Sequence, residues 1–66
     1  MKELNELLKL VDHHEKGYSL FEFVKDNKGS RSYHDKSIAM NLLQNMNLPE
    51  KEFLKVNELI NIILFD

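Results

Sequence analysis

The chain has 66 residues, no cysteine and a formal net charge of −2, with 42% hydrophobic and 30% charged residues. Those figures exclude a disulfide framework, a thiolate metal centre, a disordered tail and a strongly basic nucleic-acid arm. They fit one small domain spanning 1–66, which buries only about 60% of its unfolded surface and so depends on apolar packing or on oligomerisation.

Residues 2–16 read as the first helix. Leu4, Leu7, Leu8 and Val11 recur at i, i+3, i+4 and i+7. Lys2 with Glu6 and Asp12 with Lys16 form opposite-charge pairs at i, i+4 on the polar side, and Gly17 is the expected C-terminal stop. Charge alternates with leucine in this segment, so it does not read as a secretion signal. No apolar run approaches the roughly 20 residues of a membrane-spanning helix, and a cytoplasmic location is expected.

Residues 19–27 admit two readings. Ser19 with Glu22 has the spacing of a capping box, and Leu20, Phe21, Phe23 and Val24 would then line a two-turn helix. The alternative is a hairpin over 18–34, turning at Asn27-Lys28-Gly29. The helix is preferred, because Ser30-Arg31-Ser32 makes a poor return strand and a lone hairpin is weak in water.

Residues 33–46 read as the next helix, with Ser32 as N-cap and Asp35 in its first turn. Ile38, Ala39, Leu42, Leu43 and Met46 share one face, and Tyr33 and Met40 lie off it. Residues 49–65 form the longest and most apolar helix. Pro49 suits a first helical position, and Glu50 and Glu52 suit the positive end of the helix dipole. Phe53, Val56, Ile60, Ile63 and Leu64 share a face with Asn57. Ile62 and Phe65 fall about 140–160° away from Ile60 at the 3.6-residue period. The fold class is therefore all-α, a bundle of three to four short helices at about 2–16, 19–27, 33–46 and 49–65, with an α+β arrangement as the alternative.

Few residues carry a chemical signature. Asp12-His13-His14-Glu15 has the composition of a metal cluster. On a helix, however, neighbouring side chains diverge by about 100°, whereas paired histidine ligands need i, i+4 spacing. No metal and no cofactor is expected. Gly17 and Gly29 are the only glycines, so there is no glycine-rich phosphate loop. Serine, histidine and aspartate are present, but a triad is defined by geometry rather than inventory. No catalytic residue is assigned and no enzymatic activity is expected.

Positive charge concentrates in 25–36, where Lys28, Arg31 and Lys36 are candidate nucleic-acid contacts in a helix-turn-helix-like arrangement. The acidic balance of the whole chain disfavours that reading. A non-enzymatic, inhibitor-like or regulatory protein that binds another protein, or a second copy of itself, is the preferred function. Tyr33, Met40, Ile62 and Phe65 are its candidate contact residues, as apolar side chains outside the expected core stripes. Eight lysines to one arginine, with abundant asparagine, match an AT-rich genome and suggest a low-GC bacterium or its phage or plasmid.

Overall fold

Apolar periodicity turns into helix in all four segments of the computed structural model, which describes residues 1–66. The elements are α1 (Lys2–Val11), α2 (Gly17–Asp26), α3 (Tyr33–Gln44) and α4 (Glu50–Phe65). There is no strand, and 18–34 is not a hairpin.

The first helix stops at Val11, short of the expected 16. Asp12, His13 and His14 are weak helix formers, and the chain leaves the helix through two turns. The His14 N–H donates to the Val11 carbonyl, and the Gly17 N–H donates to the His14 carbonyl. Gly17 is thus not the residue that ends α1 but the first residue of α2. Its role is steric: a Cβ built there would stand 1.7 Å from the Val11 carbonyl oxygen. Only glycine lets α2 start against the end of α1. Neither Lys2–Glu6 nor Asp12–Lys16 closes as an ion pair; the one acid–base contact within 4.0 Å joins the His13 Nδ1 and the Asp12 Oδ1, at 3.7 Å.

With α2 beginning at Gly17, Lys16 occupies the N-cap position and Ser19 lies inside the first turn. The Ser19–Glu22 capping box is not formed. Leu20, Phe21 and Val24 are buried. At the far end the Asn27 side chain donates through Nδ2 to the Phe23 carbonyl at 2.8 Å, which satisfies a terminal carbonyl and closes the helix.

The third helix starts where the sequence predicts. Ser32 is its N-cap, and its hydroxyl accepts from the Asp35 N–H at 3.2 Å. It ends at Gln44 rather than 46 because Asn47 takes the left-handed conformation, φ 54°, a usual helix stop for asparagine. Pro49, the expected first helical residue, is instead the N-cap of α4 (φ −54°, ψ 148°), one position before its first helical residue, Glu50.

The fourth helix is the spine. It packs against α1, α2 and α3, while α1 and α3 do not meet. Val56, Leu59, Ile60, Ile63 and Leu64 give it five of the thirteen residues in the buried core. Leu7 and Val11 come from α1, Leu20, Phe21 and Val24 from α2, Ala39 and Leu43 from α3, and Met46 from the α3–α4 link. Within this apolar face the Asn57 Oδ1 is buried without a hydrogen-bond partner. No helix is long and apolar enough to cross a membrane.

The α2–α3 loop closes the C-terminal end of α4. The Gly29 N–H donates to the Ile63 carbonyl at 2.9 Å and the Arg31 N–H to the Leu64 carbonyl at 2.8 Å. Both donors sit at positive φ, 71° for Gly29 and 55° for Arg31. Two carbonyls that the end of a helix leaves unpaired are thereby satisfied by a loop more than thirty residues earlier in the chain.

Candidate functional site

The outward side of α4 carries apolar side chains that the core does not use. Leu54 is 56% exposed and Ile62 is 39% exposed. Phe65 is half-buried, packed on the core along one side and against the Tyr33 ring on the other, with ring centroids 5.3 Å apart at 44°. Tyr33 itself is 81% exposed. The start of α3 and the end of α4 thus build one aromatic corner, held in place by the loop that caps α4.

Three of the four expected contact residues, Tyr33, Ile62 and Phe65, therefore cluster at or near the C-terminal end of α4. The fourth does not join them. Met40 is partly buried and packs against the core. Leu54 was missed. It sits about 80° from Ile62 on the helix wheel, flanked by Lys51 and Lys55, and the charged neighbours mask it in the sequence. With Leu10, Lys51, Glu52, Lys55 and Glu58 it lines a shallow cleft of about 440 Å³.

The basic segment has a structural occupation. Lys28 and Arg31 are exposed, but their backbones adjoin the ends of two helices. Lys28 N–H donates to the Lys25 carbonyl at the end of α2, and Arg31 N–H to Leu64 at the end of α4. Cations are favoured beside helix C-termini. The loop between α2 and α3, residues 27–32, is also longer than the three or four residues of a helix-turn-helix corner. Lys36 lies in the first turn of α3 and is half-buried.

At the opposite end of α4 the turn after α1 brings a third group to the paired histidines. Nitrogen atoms of His13 and His14 and a carboxylate oxygen of Glu52 lie within 4.8 Å of one another. The imidazole rings face each other with centroids 4.3 Å apart at 47°. His14 borders a cleft of about 230 Å³ with Glu15, Lys16, Asn45 and Met46. The spacing argument against ligation assumed a helix through residue 16, and the helix ends before these residues. Among the serines, Ser30 and Ser32 use their hydroxyls on the backbone N–H groups of Ser32 and Asp35.

The chain matches no known family model, and no characterised protein or solved structure is significantly similar to it.

Proposed function

We propose that this protein is a small non-enzymatic regulator that acts by binding another protein, and that it docks through the corner formed by Tyr33, Phe65 and Ile62. The observation that carries the reading is Tyr33. An aromatic ring 81% exposed and resting at a tilt against a second aromatic ring contributes little to folding, whereas such side chains dominate the centres of protein interfaces. The loop behind the corner is fixed by two backbone hydrogen bonds, so the surface is ordered before a partner arrives and little entropy is lost on docking.

Nucleic-acid binding through Lys28, Arg31 and Lys36 is the weaker reading, since the chain is acidic overall and the 27–32 loop is too long for a helix-turn-helix corner.

The test is the double variant Tyr33→Ser with Ile62→Asp. Both positions are exposed, so the variant stays folded by circular dichroism and thermal melting. Affinity capture from a bacterial lysate, run in parallel with wild type and the variant, should show a protein retained by the first and lost by at least tenfold on the second. Sedimentation of the purified protein separates a foreign partner from self-association. Identical capture and identical sedimentation for the two proteins would remove this surface as the functional one.

A further inference from the structure

We propose that His13, His14 and Glu52 form a binding site for a divalent first-row transition metal, with zinc as the reference ion, which ties the α1–α2 corner to the first turn of α4. The proposal is independent of the protein-docking surface, which lies at the other end of α4.

The donor set comes first. Two imidazole nitrogens and one carboxylate oxygen suit zinc, nickel, cobalt and copper, and suit calcium or magnesium poorly. Two histidines and a glutamate are a ligand set that zinc accepts with a fourth position left to water.

The geometry comes second. The three donor atoms already lie within 4.8 Å of one another. Zinc bonds of about 2.0–2.2 Å in a tetrahedral arrangement require donors roughly 3.4 Å apart, so the side chains must close by somewhat more than 1 Å. His13 is exposed, and His14 and Glu52 are half-buried, so no core packing opposes that rotation. Adjacent histidines on a helix would diverge. These two stand in a turn, with rings already 4.3 Å apart.

The surroundings come third. The Asp12 Oδ1 lies 3.7 Å from Nδ1 of His13, too long for a hydrogen bond, so a second carboxylate stands beside the first histidine and adds negative charge to the site. No cation is bonded to Glu52, so an ion displaces no existing partner.

The consequence is a staple. His14 and Glu52 are separated by 38 positions in the chain (52 − 14), and a clip that closes a long loop lowers the entropy of the unfolded state. In a chain without cysteine, a metal is the cross-link that remains open to it.

Thermal melts of tag-free protein, stripped with chelator and then titrated with zinc chloride, test the proposal. Free zinc a hundredfold above Kd should raise Tm by about 10 °C or more, reversibly on adding chelator. His13→Ala, His14→Ala and Glu52→Ala should each weaken binding at least tenfold while remaining helical without metal. His34→Ala is the control: the third histidine lies in the first turn of α3, about 16 Å from Asn45 along that helix, and its loss should change nothing. Absence of a zinc-dependent shift would overturn the site. A shift undiminished in Glu52→Ala, or one that disappears with His34→Ala, would overturn it equally.

Discussion

The two ends of α4 are finished in different ways. At the C-terminal end the chain closes on itself: Gly29 and Arg31 donate backbone hydrogen bonds to Ile63 and Leu64, and Tyr33 covers Phe65. At the N-terminal end, Pro49 offers no side-chain cap, and two acidic residues and a histidine pair take up the space. The closed end is held by backbone groups, which have one geometry each. The open end is held by side chains that can rearrange. A small protein can afford such an end only where the adjoining corner is rigid, and here rigidity comes from Gly17 pressed against Val11.

Gly17→Ala tests that rigidity and has the largest expected effect. The new Cβ would collide with backbone rather than with the tip of a side chain, so the corner must open and α2 must shift on the core. The expected loss is about 3 kcal/mol or more, against a total stability of roughly 3–10 kcal/mol for a domain of this size. Urea denaturation should show a mostly unfolded or much weakened protein. A midpoint within experimental scatter of wild type would mean that the corner is looser than drawn.

Arg31→Pro breaks the closed end with a smaller expected effect. Proline cannot adopt φ 55° and has no N–H for the Leu64 carbonyl. The expected cost is about 2 kcal/mol, from one lost hydrogen bond and a buried acceptor left unpaired. Hydrogen exchange sharpens the comparison: protection should fall in the last turn of α4 and persist around Val56 and Ile60. A uniform loss over the whole helix would show that the two ends are not independent.

The same contrast explains what the sequence reveals and what it hides. Local chemistry is legible. Ser32 caps α3 because a hydroxyl, an acidic residue three positions on and an apolar stripe all agree. The buried face of α4 follows from the 3.6-residue period, although it is wider than the stripe and takes in Leu59 at its edge. Where one residue type serves two purposes, the sequence cannot choose. Glycine at 17 marks either a helix stop or a close approach, and Ser19 with Glu22 has cap spacing without a helix start. Contacts across the chain are hidden altogether. Nothing local announces that Arg31 meets Leu64, that Tyr33 meets Phe65 or that Glu52 approaches His13 and His14. Tyr33, Ile62 and Phe65 could be picked individually as misfits of their helix wheels. Their clustering belongs to the fold, as does the burial of Met40.

Charge placement gives the smallest and most selective test of the two ends. Glu50 begins α4, where negative charge is favoured, and Lys28 lies at the loop that receives the C-terminal ends of α2 and α4. Reversing either one, Glu50→Lys or Lys28→Glu, should cost about 0.5 kcal/mol at low ionic strength. Each single change also alters the net charge, which confounds its interpretation. The double variant does not: +2 and −2 cancel, and the formal charge stays at −2. The two positions are separated by most of the length of α4, about 20 Å, so their effects should add to roughly 1 kcal/mol. Salt screens exposed charges over about 10 Å at 0.1 M and about 3 Å at 1 M, so the difference between double variant and wild type should shrink steadily as sodium chloride is raised. Equal stability of the two proteins at low salt would show that the helix ends do not sense these charges. A deficit that persists in 1 M salt would assign the loss to packing of the Glu50 and Lys28 side chains instead.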